Sequence, residues 1–161
     1  DLIDAITSQQ LSGKAAKTIF NRVKESLSGK ITPEAVLTKK DQQLRDCGLS
    51  WAKVKYIKDL ADRVKKGVLK INELDSLSDE EVVTELVAVK GIGRWTAEMF
   101  LMFSLGRADS FPVDDLGIKK GFEKVTGKKW NRVKSAKFAE KNWAPYRTVA
   151  SWYLWRSLEN R

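Results

Sequence analysis

The sequence predicts an all-α protein, and three observations predict it. Apolar residues recur at helical spacing in segment after segment, as in Val82, Leu86 and Val89 and again in Ala97, Leu101 and Leu105. Helix-start signals precede these segments; the fullest is Ser78-Asp79-Glu80-Glu81, a Ser with Glu three residues on. No apolar–polar alternation of strand type stands out, and there is no internal repeat and no low-complexity stretch.

Taken in order, residues 1–27 read as a helix, a break and a second helix. Leu2, Ile3 and Ile6 form one apolar face, Ser8-Gln9-Gln10-Leu11-Ser12-Gly13 interrupts it, and Ala15, Ala16, Ile19, Phe20 and Val23 resume it. Ser28-Gly29-Lys30 is a loop. Thr32-Pro33-Glu34 starts a helix, with a capping Thr and Pro at the first helical position. Thr38 is expected to begin another short helix through Leu44. Cys47-Gly48-Leu49 is a turn, and Ser50 caps a helix carrying Val54, Ile57, Leu60, Ala61 and Val64. On its polar side stand Lys53, Lys55 and Lys58, facing water or a polyanion. Lys65-Lys66-Gly67 closes it, with cations at the negative end and Gly after it.

Residues 68–77 read as an irregular connection. Two helices then flank Lys90-Gly91-Ile92-Gly93, a glycine hairpin. A loop follows, and Asp114-Asp115 opens a helix with Leu116, Ile118 and Phe122. After the basic loop Thr126-Gly127-Lys128-Lys129, two closing helices are expected near 132–141 and 146–158.

Composition narrows the chemistry. A length of 161 residues suits one domain, or two small lobes sharing a core. No run approaches the roughly 18 apolar residues of a membrane span. No signal peptide is visible, and because the chain opens directly on a helical pattern, native residues before Asp1 are expected. Cys47 stands alone, which excludes an internal disulfide and a four-cysteine iron–sulfur cluster. Without histidine, acid–base work falls to Asp, Glu, Lys, Tyr or water. A net charge of +9 with six Trp points to a polyanion partner, and aromatic faces among cations suit stacking on bases.

A helix starting at the glycine hairpin directs backbone N–H groups and a positive dipole end outward, which suits a phosphate. Lys90 and Arg94 flank it. Val89-Lys90-Gly91-Ile92-Gly93-Arg94-Trp95-Thr96-Ala97, followed by Phe111-Pro112-Val113-Asp114-Asp115-Leu116, resembles the signature of the helix–hairpin–helix DNA glycosylases, and within them the 3-methyladenine DNA glycosylase II branch. The likeness extends from Ala5-Ile6-Thr7-Ser8-Gln9-Gln10-Leu11 to Tyr146-Arg147-Thr148 and Trp152-Tyr153-Leu154-Trp155.

The resemblance implies a single helix–hairpin–helix glycosylase domain over 1–161, its hairpin at 86–97, made of two helical lobes with a DNA-binding cleft between them. It implies a monofunctional enzyme that flips alkylated purines out of duplex DNA and hydrolyses the N-glycosidic bond. From the residues alone, either Asp114 or Asp115 can be the helix cap. The resemblance places the family's carboxylate on Asp115 and leaves Asp114 as cap or phosphate-side neighbour. It assigns Trp155, Trp95 and Met99 to the base pocket, although pattern alone reads both Trp equally as core. Gln10 or Leu11 is implied as the wedge that fills the gap of the flipped nucleotide, with Ser12 in the same turn too short to intercalate. Lys90, Gly91, Gly93, Arg94 and Thr96 are implied as phosphate contacts.

No cofactor is expected to be required. The resemblance does imply a monovalent cation, Na+ or K+, on the backbone carbonyls of Val87, Val89 and Ile92. Strand-cutting relatives carry a Lys where this chain has Trp95, so no AP-lyase activity is expected. The expected partner is duplex DNA bearing damaged bases, without a membrane, bound by a monomer. Contacts to four to six phosphates give log K a slope of about −4 to −5 against log salt. Two other readings fit fewer of the residues: a non-catalytic binder of damaged or abasic DNA, and a general helix–hairpin–helix module.

Overall fold

The computed structural model describes residues 1–159, and among them it is wholly helical, with ten α-helices, one 3₁₀ helix and no strand. The chain forms two compact units, Asp1–Ala97 and the part from Glu98 onward.

The first unit contains α1 (Leu2–Ser8), α2 (Gly13–Ser26), α3 (Pro33–Thr38), α4 (Asp41–Asp46), α5 (Trp51–Lys65), the 3₁₀ helix Ile71–Ser76, α6 (Asp79–Val87) and the start of α7 (Arg94–Phe103). Side-chain caps fix several starts. Thr32 Oγ1 accepts from the Ala35 N–H at 3.2 Å and Ser50 Oγ from the Lys53 N–H at 3.2 Å. At α6 the full capping box closes, with Ser78 N–H donating to Glu81 Oε2 at 2.8 Å. Helix α5 is central: Val54, Ile57, Leu60 and Ala61 are buried, and it packs on α1, α3 and α4.

Two expectations are corrected here. Thr38 does not begin a helix; it ends α3, its hydroxyl donating to the Ala35 carbonyl at 3.1 Å. Lys39 and Lys40 are extended, and α4 starts only after Lys40, whose N–H donates to Gln43 Oε1 at 3.0 Å. The connection 68–77 is also more regular than its sequence, because burial of Leu74 winds Ile71–Ser76 into 3₁₀ turns.

The second unit contains the rest of α7, then α8 (Leu116–Thr126), α9 (Arg132–Trp143) and α10 (Arg147–Glu159). Its core is aromatic. Phe122, 1% exposed, meets Trp130, Phe138 and Trp143 edge-on at 5.3, 5.4 and 5.9 Å between ring centres. Trp130 and Trp143 thus pack against the core, whereas Trp51 is exposed, with Arg45 over its ring at 5.8 Å. Helices α8 and α10 lie unusually close: a Cβ added at Gly121 would sit 2.4 Å from the Leu154 carbonyl oxygen. Among the described residues no helix is long and apolar enough to cross a membrane.

Candidate active site and nucleic-acid interface

The second unit holds the acidic centre. Asp115, in extended conformation, is the N-cap of α8, and its Oδ1 accepts from the Ile118 N–H at 2.7 Å. The same oxygen accepts from the Trp155 indole N–H at 2.9 Å. Two residues after Asp115 the helix has already approached α10 so closely that only glycine fits between: a Cβ at Gly117 would lie 2.6 Å from Trp155 Cδ1 and 2.8 Å from its Nε1. Trp155 is half-buried and stacks on Phe103 at 6.2 Å between centres, and Phe103 in turn meets Trp152 edge-on at 5.6 Å. Two bonds from different helices and a stacked ring therefore fix both carboxylate and indole.

Asp114 is not the cap. It holds Arg132 in a two-pronged ion pair, Nε to Oδ1 at 2.8 Å and Nη2 to Oδ2 at 3.1 Å, on the surface. The cap is Asp115, the residue on which the resemblance places the carboxylate. The loop leading to it is anchored at its base. Arg147 grips Asp109 through Nε and Nη2 at 2.7 and 2.8 Å, and the Arg147 N–H adds a third bond, which hold the Asp109 carboxyl below the usual range although burial opposes the shift.

The first unit holds the hairpin. Gly91 has φ +81, and a Cβ there would lie 2.1 Å from the Tyr56 ring, so conformation and packing both require glycine. The Lys90 N–H donates to Asp59 Oδ2 at 2.9 Å. Burial pushes the Asp59 carboxyl up, but this bond and the Arg63 pair beside it outweigh burial and hold it below the usual range. Gly93 precedes α7 and its carbonyl accepts from the Ala97 N–H at 3.0 Å. A Cβ at Gly93 would meet open space.

The flanking groups differ in readiness. Lys90 is exposed. Arg94 is clasped by Glu80, at 2.5 Å from Nη2 to Oε1, and this pairing lowers the Glu80 carboxyl. Thr96 is buried, which leaves its backbone in the first turn as the group near the hairpin. Trp95 is 45% exposed and Met99 half-buried, one turn apart on α7.

The turn after α1 carries the residues expected to form the wedge. Gln10 has φ +57, Leu11 is 39% exposed, and Ser12 occupies the N-cap position of α2 without a side-chain cap bond. Of the α5 lysines, Lys53 and Lys58 are engaged within the protein, Lys58 in an ion pair with Asp41 at 2.6 Å. Lys53 Nζ donates to the Thr7 and Gln9 carbonyls at 2.7 and 2.6 Å, and Lys58 Nζ to the Lys39 carbonyl at 2.8 Å. Sequence reasoning missed these ties, together with Gly117, Gly121, Tyr56, Asp59 and Phe103. The glycine pair carried a signal, since Gly117 and Gly121 are four apart and so share a face of α8.

A glycine hairpin before a helix, a capping aspartate bonded to a tryptophan and a basic, histidine-free helical chain define a nucleic-acid-processing class. Residues 3–145 match the family of HhH-GPD superfamily base excision DNA repair proteins. The sequence is 40% identical to DNA-3-methyladenine glycosylase 1 of Schizosaccharomyces pombe, over 98% of this chain and 71% of that protein. It is 32% identical to a putative DNA-3-methyladenine glycosylase of Bacillus subtilis, over 98% of this chain but only 58% of the relative. The fold matches a crystal structure of a DNA-3-methyladenine glycosidase from Bacillus halodurans with a TM-score of 0.89 and 40% identity, covering 99% of this chain and 74% of that one. It also matches the Schizosaccharomyces pombe 3-methyladenine DNA glycosylase in complex with abasic DNA, with a TM-score of 0.84 and 41% identity, covering 98% and 79%. The chain belongs to the HhH-GPD superfamily of base excision DNA repair proteins.

Proposed function

We propose that this protein is a monofunctional alkylbase DNA glycosylase, which removes 3-methyladenine-type purines from duplex DNA and leaves an abasic site. The observation that carries this reading is the Asp115 carboxylate, tied to the Trp155 N–H and to the first turn of α8. Relatives named for the same activity, aligned over nearly the whole chain, support it.

The chemistry follows from charge. Departure of the base builds positive charge on the deoxyribose, and a fixed anion close by lowers that barrier by an amount that mutagenesis typically finds to be 10²–10³-fold. Asp115 also orients the attacking water and takes its proton as the bond to C1′ forms. An alkylated purine carries its own positive charge and leaves as a neutral base, so no strong general acid is needed, in keeping with the absence of histidine. The exposed Trp95 and the fixed Trp155 offer electron-rich faces, and a cationic base gains roughly 0.5–2 kcal/mol over a neutral one on such a face.

Strand cleavage needs an amine that forms a Schiff base at C1′. Position 95 offers an indole, so the product is an intact strand with an abasic site. On the DNA side, Gly91 and Gly93 amides with Lys90 grip a phosphate, and Arg94 joins once Glu80 releases it. The Val87, Val89 and Ile92 carbonyls are uncharged oxygen donors, which suit Na+ or K+ rather than a transition metal. Val89 already accepts from the Ile92 N–H at 3.1 Å, a bond that uses one of its two lone pairs. These carbonyls would hold such an ion, which would supply positive charge to the hairpin and take no part in bond breaking.

The test is single-turnover release of methylated purine from duplex DNA. The wild type releases base, Asp115→Asn loses about 100-fold or more while abasic-DNA affinity persists, and Asp114→Asn stays active. Tight abasic-DNA binding without any base release by the wild type would make the protein a lesion binder instead.

A further inference from the structure

Helix α5 carries three residues, Lys53, Tyr56 and Asp59, spaced three apart along one stripe, and each reaches the turn after α1 or the glycine hairpin. Lys53 Nζ binds the Thr7 and Gln9 carbonyls, at the end of α1 where carbonyls lack helical partners. Tyr56 packs its ring where a side chain at Gly91 would have to be. Asp59 accepts the Lys90 N–H. A fourth contact closes the loop: Gln9 Nε2 donates to the Gly91 carbonyl at 2.8 Å, joining residues 82 positions apart.

The turn that Gln9 opens is not a relaxed one. Gln10 adopts φ +57, a region where non-glycine residues seldom lie and which persists only when surroundings impose it. The imposing contacts are on either side of Gln9, its carbonyl held by Lys53 and its amide by the hairpin. Leu11 is thereby left projecting at the surface.

We propose that Gln9, seated on Lys53, is a positioning residue for base flipping, which makes the wedge turn and the phosphate-gripping hairpin one rigid piece. The proposal rests on the glycosylase reading above. A wedge must hold against base pairs that resist unstacking. If it were hinged freely, that resistance would push it aside. Tied to Gly91, it is braced by the same hairpin that holds the phosphate, so seating the phosphate sets Gln10 and Leu11 in register with the lesion.

The test compares Gln9→Glu, which keeps the size but presents an acceptor to the Gly91 carbonyl, and Gln9→Ala, with the wild type. Each is also made in a wedge-less Gln10→Ala/Leu11→Ala background. Three quantities are read: affinity for undamaged duplex, fluorescence of 2-aminopurine beside a stable abasic-site analogue, and single-turnover release of methylated purine. Melting by circular dichroism checks the fold. Gln9→Glu and Gln9→Ala are expected to keep undamaged-duplex affinity within about 2-fold, to lose most of the fluorescence rise and to slow release about 10-fold, with no further loss in the wedge-less background. An equal loss with and without the wedge, or a parallel loss of undamaged-duplex affinity, overturns the proposal and makes Gln9 a support of the hairpin alone. If the wild type releases no base, the glycosylase reading fails by itself, and fluorescence and duplex affinity still decide the role of Gln9.

Discussion

The two units fix their functional groups by opposite means. In the first, the groups proposed to meet DNA are largely backbone, and side chains such as Asp59, Tyr56 and Lys53 hold that backbone. In the second, the group offered is a side chain, and backbone makes room for it: Gly117 and Gly121 bring α8 so close to α10 that Trp155 reaches Asp115. The difference teaches where each unit is fragile. The hairpin fails when its conformation changes, whereas the acidic centre fails when the space beside it is filled.

Substitutions that add one methyl group sharpen this contrast. Gly117→Ala places a Cβ within 2.8 Å of the Trp155 nitrogen. The indole must leave Asp115, and base release is expected to fall about 100-fold with duplex affinity unchanged. Gly91→Ala has the reverse signature. Its φ of +81 and the Tyr56 ring both oppose the methyl. A loss of about 2–3 kcal/mol in chemical denaturation, with weakened binding of every duplex, damaged or not, is expected. If Gly91→Ala instead slowed release without affecting binding, the division of labour between the units would be wrong.

Trp155→Phe is a smaller change. It keeps a ring for stacking on Phe103 but removes the N–H that orients Asp115, so single-turnover release should drop about 10-fold. The smallest effect concerns pH. Asp59 titrates below its unfolded value, so its contribution is complete above the ordinary carboxylate range near 4. It fades as pH falls through the folded value. Hairpin stability, read by amide exchange of residues 88–93, should therefore decline on acidification below about pH 4, and Asp59→Asn should flatten that decline.

Much of the fold was legible because local signals decide local structure. Thr32, Ser50 and Ser78 announced their helices and cap them. The Asp114-Asp115 pair announced a cap but not which residue was the cap, because the decision lies with Arg132, 18 residues away, which claims Asp114. Lys53 was illegible for a similar reason. A lysine on the polar side of an amphipathic helix looks solvated, and its burial against two carbonyls depends on where α1 ends. Thr38 failed differently: Thr is a good cap, but here the Gln43 side chain did the capping one turn later. The candidate site was thus readable as residue types in order, while the bonds that orient them are tertiary.

The glycines of α8 also bear on how the protein folds. Two of them in the interior of an 11-residue helix lower its intrinsic helicity by about 2 kcal/mol, so the segment does not hold a helix by itself. It becomes helical when α10 docks along its glycine face, and that is also the moment Trp155 meets Asp115. The Asp115–Trp155 pair is therefore absent from any loosely packed intermediate, whatever helix content such a species shows. During refolding, enzyme activity would return with tertiary docking and trail the recovery of helical signal.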